Sequence, residues 1–429
     1  MTLQGDGFTV PAEVQPDPER AARMELAASV VMEALSAARP TIAVSPLGPA
    51  WSSDLDVYVA DLSHARQLAE TSGWIDLTPV TSALGHLGRS EHAIVCEGRV
   101  LAMAGLRSGH APEPIDKVRR RAERIGGPDV RSVLELRELA AQGIDVGRAG
   151  PELLAEAARM ERDFGGSVLQ RWDTEEPSPA RVPAIRIRLF RRPHVRVAVT
   201  GVDGVGKSTL VDGLVDAFER CGIPTTVIWT RPGMGLDHLD VLASIARRVL
   251  GQNDLGIKRL AEGAETASIS SRRGIVGWLW LWVVSIAFVT TVRSQTRSAK
   301  GVVIYDRHLV DALATIEVLY RGVESRLHGR FVGALMPKVD ITVWLAVDPA
   351  IATARKPGDL IGEDLVADQH RCYLRLAPKL DRMVRFDSGE LAADQLVLEA
   401  LAVVSQRLGR RRARPRAMFM RLARRLLHR

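Results

Sequence analysis

The stretch Gly201-Val202-Asp203-Gly204-Val205-Gly206-Lys207-Ser208 constrains this chain more than any other feature. It meets the pattern G-x-x-x-x-G-K-[ST] in full, and glycines at these spacings let successive backbone amides converge on one anion. A continuous β-branched run, Val195 to Thr200, precedes it; Leu210, Val211, Leu214, Val215 and Phe218 follow at helical spacing. A strand, a glycine turn and a helix N-terminus in that order make a phosphate site, because the amides and the helix dipole both favour negative charge. In such a site Lys207 reaches the outer phosphates of ATP as a point charge. Ser208 ligates Mg2+ through its hydroxyl, and Gly201, Asp203, Gly204, Val205, Gly206 and Thr209 complete the cradle.

From Val195 onward the pattern alternates strand and helix, as a parallel α/β sheet flanked by helices requires. Strands are expected at Val195–Thr200, Thr225–Thr230, Val302–Tyr305, Asp340–Val347 and Met383–Phe386. Helices are expected at Lys207–Cys221, Leu239–Leu250, Leu309–Tyr320, Pro349–Arg355, Glu363–Leu376 and Ala392–Leu408. A chain of 429 residues is long for one domain. The division expected is a smaller α+β domain over residues 1–163, a Gly- and Pro-bearing linker over 164–194, the α/β domain over 195–408, and a basic tail over 409–429.

The α/β portion resembles the thymidylate kinases. Val199-Thr200-Gly201-Val202-Asp203-Gly204-Val205-Gly206-Lys207-Ser208-Thr209 is similar to that family's opening, which carries an acid at the place of Asp203. Tyr305-Asp306-Arg307-His308 is similar to its Asp-Arg-aromatic signature at the end of a central strand. The resemblance implies a P-loop fold and transfer of the ATP γ-phosphoryl group. It implies that Asp306 holds Mg2+ or receives a proton, that Arg307 clamps the acceptor's phosphate, and that Arg355, with Lys356, approaches the transferring group from a lid. His308 lines the site, and Asp203 faces the acceptor. The chain departs from the family where Arg231 meets Pro232 with no Glu before it, and where Leu319-Tyr320-Arg321 replaces a Tyr-Gln pair. The acceptor therefore stays open: a nucleoside monophosphate, or another small phosphate-bearing or hydroxyl compound.

In the first domain, Ser52-Ser53-Asp54-Leu55-Asp56-Val57-Tyr58-Val59 resembles the acid-pair strand of nucleotidyltransferases. Two carboxylates two apart on a strand share a face and can hold a metal-bound triphosphate. The third acid such a site needs is missing from Val100–Ala104, and Glu97 lies just before that strand, so a degenerate site is expected. The competing readings are nucleotidyl transfer at Asp54 and Asp56, and a non-enzymatic ATP-gated module at a membrane.

That last reading draws on two apolar features. Ile275 to Val292, with Trp278, Trp280 and Trp282, approaches the length of a membrane span. It lies between two strands of one expected sheet, however, so a buried helix is expected there. The tail places Met418, Phe419, Leu422, Leu426 and Leu427 on one helical face among many arginines, a pattern suited to peripheral contact with anionic membrane. Most of the excess in the +7 formal charge sits in that tail. No base-reading motif accompanies it, so nucleic acid is not the expected partner, while a homodimer stays open. Cys96, Cys221 and Cys372 have neither disulfide nor metal spacing, which fits a cytoplasmic protein, peripheral at most to the inner membrane face.

Overall fold

The structure, a computed structural model, describes residues 15, 17–43, 45–52, 54–83, 90–166, 168–169, 195–230, 275–319, 326–355, 363–377, 380 and 382–409. Residues 239–250, Arg231, Pro232, Tyr320, Arg321, Lys356 and 410–429 lie outside the described residues, as do most of 164–194 and the Trp280 side chain. The chain forms two compact units, which part between residues 191 and 192 of the main run. Both are mixed α/β.

The first unit runs α1 (Pro18–Ala34), β1 (Thr41–Ala43), β2 (Leu55–Val59), α2 (Leu62–Thr71) and β3 (Ile75–Asp76); the chain then passes through α3 (Thr78–Ala83), which groups with the second unit from Pro79, before β4 (Ser90–Cys96) and β5 (Arg99–Ser108) of the first. Helices α4 (Pro114–Ile125), α5 (Val130–Ala141) and α6 (Pro151–Asp163) close it. Its sheet has the order β1-β2-β5-β4-β3, with β2 and β5 parallel and every other pair antiparallel. On β2, Leu55, Val57 and Val59 are buried while Asp56 and Tyr58 are half-buried, the alternation of a strand with one apolar face. That face packs against Met24, Ala27 and Val31 of α1 and Ala65 and Ala69 of α2. A second core joins α4, α5 and α6 through Ile115, Val133, Leu136, Leu154 and Ala158.

This second core runs on past Asp163 into what reads as linker. Leu169 is fully buried in it and Phe164 packs at its edge. The Leu169 amide donates to a carboxylate oxygen of the buried Glu161 at 2.6 Å, and the Val168 amide to the other at 3.1 Å. Glu161 also pairs with Arg137, so its charge is held by an ion partner and two amides, as a buried acid requires. The polar character of 164–194 hides this anchor.

The second unit runs β6 (Val195–Thr200), α7 (Lys207–Arg220), β7 (Thr225–Trp229), α8 (Ile275–Ser298), β8 (Val302–Asp306) and α9 (Leu309–Leu319). It continues through α10 (Arg326–Leu335), β9 (Ile341–Ala346), α11 (Pro349–Ala354), α12 (Glu363–Leu376) and β10 (Met383–Asp387). A last helix, α13, spans residues 393–409. The sheet is wholly parallel, in the order β10-β9-β6-β8-β7. Central strands of such a sheet are covered on both faces and read as unbroken apolar runs. Accordingly, β9 is buried at every position, while the edge strands β7 and β10 are mostly part-exposed.

The apolar run from Ile275 becomes α8, which is longer than the run itself. Leu281, Val284, Ala287, Phe288, Val289 and Val292 lie in the core with Val303 and Tyr305 of β8. Trp278 and Ile286 of the same helix are exposed. Among the described residues no helix is long and apolar enough to cross a membrane.

Candidate active site

Strand β6 has its next strand, β7, on the far side of β8, and β9 on its other flank. The connection from β6 to β7 thus runs to one side of β6 and the later one from β8 to β9 crosses to the other, so the strand order reverses beside β6 and a crevice opens at its carboxyl end. The glycine loop fills that position. Gly201 (φ 152°) and Gly204 (φ 84°) adopt backbone conformations that suit glycine. A Cβ on Gly201 would stand 2.5 Å from the Leu345 carbonyl oxygen, and one on Gly204 would stand 2.2 Å from that of Ala352. The loop is thus wedged between the end of β9 and helix α11. It turns into α7, leaving Ser208 and Thr209 exposed at the helix N-terminus, where amides attract anions.

Lys207 is nearly buried, and its ammonium folds back onto the loop. It donates to the Gly201 carbonyl at 2.9 Å, to the Val202 carbonyl at 2.6 Å and to Asp203 Oδ1 at 3.3 Å. Burial, with Arg307 nearby, pushes its pKa down.

Strand β8 brings the Asp-Arg pair to the same place. Asp306 lies in register with Val199 of β6 and Trp229 of β7. The Arg307 amide bonds the Val199 carbonyl at 2.9 Å, and the Thr230 amide bonds the Asp306 carbonyl at 3.0 Å. Arg307 takes a left-handed backbone conformation (φ 74°), rare for a residue with a Cβ. The Thr230 hydroxyl holds it there through the Arg307 carbonyl at 2.6 Å. The result aims the guanidinium at the loop, where Nη2 bonds Asp203 Oδ1.

Two acids here differ in electrostatic setting. Burial acts to raise Asp203, but Lys207 and Arg307 beside it outweigh that and hold its pKa down at about 2. Burial likewise raises Asp306, and there it prevails over the pull of Arg307 and Lys207. Asp306 Oδ1 is buried with no hydrogen-bond partner. It is an acceptor with spare capacity, suited to a cation or a proton. His308 does not line this site. It is buried, its ring stands 4.7 Å from that of Tyr305, and burial lowers its pKa to about 3, so it packs as a neutral ring.

Arg355 caps the end of α11, the helix whose Ala352 meets Gly204, and bonds the Ser388 carbonyl at 3.2 Å. It therefore sits one turn from the loop, held toward β10.

Two residues beneath the loop, Asp311 and Tyr373, gave no signal in the sequence. Asp311, on the first turn of α9, accepts from the Thr200 hydroxyl, from the His308 amide at 3.0 Å and from the Tyr373 hydroxyl at 2.7 Å. Tyr373, on α12, also contacts the Gly201 carbonyl at 3.2 Å. Each reads in sequence as one more residue of an amphipathic helix or strand. Only the tertiary fold brings them together.

The acid pair of the first unit differs from its expectation. Asp54 lies one residue before β2, and Asp56 is the second residue of that strand. Asp56 pairs with Arg107 Nη2 at 2.8 Å and Lys117 Nζ at 3.4 Å. Arg107 comes from β5, the neighbouring strand where a third acid would be needed. Among the described residues no group of three or more His, Cys, Asp or Glu could hold a metal ion.

No family model matches this chain, and no curated protein matches it in sequence.

Proposed function

We propose that the second unit is an ATP-dependent phosphotransferase of the P-loop kinase type, similar to the thymidylate kinases, acting on a small phosphate-bearing or hydroxyl acceptor. The observation that carries this reading is the meeting of Lys207, Asp203 and Arg307 at the carboxyl end of β6, with Asp306 beside them. Phosphoryl transfer needs in-line placement and fixed positive charge far more than covalent help. Lys207 and the α7 amides supply charge for the donor's phosphates. Arg307 offers a planar fork suited to a phosphate oxygen pair, and Asp203 holds that fork in place until the acceptor meets it.

The residues also suit Mg2+. Ser208 and Asp306, with its partnerless oxygen, would hold the ion against the phosphates of ATP, where it neutralises charge. One carboxylate and one hydroxyl are enough, since Mg2+ takes its other ligands from water and phosphate. Nucleotidyl transfer in the first unit has less support, because Arg107 and Lys117 already neutralise Asp56.

The test is transfer of phosphate from Mg·ATP to a panel of nucleoside monophosphates, sugars and lipid alcohols, with Lys207→Ala as control. ADP formation that depends on one acceptor and on Lys207 supports the reading. No acceptor-dependent ADP formation across the panel, despite tight ATP binding, sinks it.

A further inference from the structure

Helix α8 buries one side in the core and leaves the other in water. Ile286, Arg293 and Arg297 recur at i, i+7 and i+11, so they share one face, and all three are exposed. Helix α10 packs beside it. The Trp282 ring centroid lies 4.4 Å from that of His328 and 4.9 Å from that of Phe331, and the Trp278 ring lies 5.8 Å from His328. Further along, Arg293 Nη1 donates to the Leu335 carbonyl at 2.9 Å. On α10, Leu327, Arg330 and Ala334 recur at i, i+3 and i+7 and are likewise exposed. The two helices thus present one surface, on which Leu327 is 60% exposed, Ile286 43%, Trp278 39% and Leu335 36%.

The charge on this surface is of one sign. Neither helix contains an Asp or a Glu. Arg293, Arg297 and Arg330 are exposed, as are Lys300 and Lys338 just beyond the helices, and none of the five forms an ion pair among the described residues. Exposed arginines elsewhere do pair: Arg148 with Glu113, Arg371 with Asp368 and Arg375 with Glu317. Apolar side chains rimmed by unpaired cations suit a partner that is apolar and anionic at once. An anionic bilayer is both, since indoles settle at the headgroup level and arginines meet the lipid phosphates. A two-fold contact with a second copy would set these cations against themselves. Residues 410–429 carry the same combination in sequence, with Met418, Phe419 and Leu422 among arginines. Two such contacts on one chain reinforce each other. Leu26 and Met32 of α1 are exposed too, but that helix carries Glu19, Glu25 and Glu33, which such a bilayer repels.

We propose that the α8–α10 face is a docking surface for anionic phospholipid, with Trp278, Ile286 and Leu327 entering the headgroup layer and Arg297 and Arg330 on its phosphates. The contact is peripheral, since no helix among the described residues is long and apolar enough to cross a membrane. This goes beyond the nucleotide-site reading and does not depend on it.

The test is co-sedimentation of the full-length chain with vesicles of phosphatidylcholine alone, or of equal parts phosphatidylcholine and phosphatidylserine. Binding should require phosphatidylserine and weaken with added salt. Ile286→Glu with Leu327→Glu should reduce it at least tenfold, while Ile286→Leu with Leu327→Met should leave it unchanged. Arg297→Gln and Arg330→Gln should each weaken it about fivefold. Leu26→Glu with Met32→Glu, at exposed apolar positions of the first unit, should change nothing. Every substituted side chain is exposed, so the variants keep the fold, and thermal unfolding verifies this before sedimentation. No binding of the native chain to either vesicle would overturn the proposal, and so would equal binding to both. Undiminished binding by the Ile286→Glu, Leu327→Glu variant would overturn it as well and assign the contact to the tail. A native chain that self-associates without lipid, and is monomeric only in that variant, would give this face to a second copy and overturn it too.

Discussion

Arg307 reaches from the end of β8 to bond the Asp203 carboxylate in the glycine loop, and it does so from a left-handed backbone conformation. Asp203 takes a second cation, Lys207, on the same oxygen. Its pKa, held near 2 from an ordinary 3.8, makes the cluster a source of stability with a definite pH dependence. A carboxylate depressed in the folded state contributes fully above its unfolded pKa and loses that contribution as pH falls through the folded one. Asp203→Asn should therefore destabilise the chain by about 2 kcal/mol at pH 7, with the gap to the native chain closing between pH 4 and pH 2. Urea titrations at pH 7, 4 and 2.5 read this directly. A gap that stays constant with pH would show that the cluster contributes nothing through charge.

Asp306 carries the opposite sign. Burial raises its pKa, so its ionised form is the costly one in the fold, and its contribution is present at low pH and lost as pH rises. Asp306→Asn removes the buried charge at nearly constant shape. The variant should be at least as stable as the native chain at pH 7, yet bind Mg·ATP at least tenfold more weakly while binding ATP in EDTA equally well. A substitution that costs stability and leaves the Mg2+ dependence intact would remove Asp306 from the site.

Two loop glycines should respond differently to the same change. A Cβ at Gly204 meets the Ala352 carbonyl at 2.2 Å in a φ 84° backbone, whereas one at Gly206 meets nothing within 4 Å at φ 92°. Gly206→Ala carries conformational strain alone, about 1 kcal/mol. Gly204→Ala adds a collision with backbone that must move, for a total of about 3 kcal/mol or more. Thermal melts of the two variants rank them, and equal losses would mean that α11 yields freely.

Much of the second unit was legible because its signals are local. The motif from Gly201 to Ser208, the apolar strands Val195–Thr200 and Ile341–Ala346, and the placing of Asp306 at a strand end all depend on residues adjacent in sequence. What was not legible depends on distance. Thr200 and Asp311 are 111 positions apart, and Gly201 and Tyr373 are 172 apart, so no spacing rule connects them. His308 illustrates a second limit. Its place beside Arg307 reads as a site position, but the backbone turn at Arg307 sends the guanidinium to the loop and the imidazole to Tyr305.

The first unit gives the sharpest contrast between motif and environment. Asp56 is the acid that a nucleotidyltransferase would set against a metal, yet here Arg107 and Lys117 converge on it, and Lys117 is fixed further by the Ala43 carbonyl at 2.6 Å. Two side-chain cations on one carboxylate leave no negative potential to draw a divalent ion. The cluster is partly open to solvent, so its worth is modest, and Asp56→Asn should cost about 1 kcal/mol. It should change no catalytic property of the chain, and the native chain should release no pyrophosphate from any nucleoside triphosphate with Mg2+ or Mn2+. Pyrophosphate release that is lost in Asp56→Asn but kept in Lys207→Ala would reverse this assignment and give the first unit a chemistry of its own.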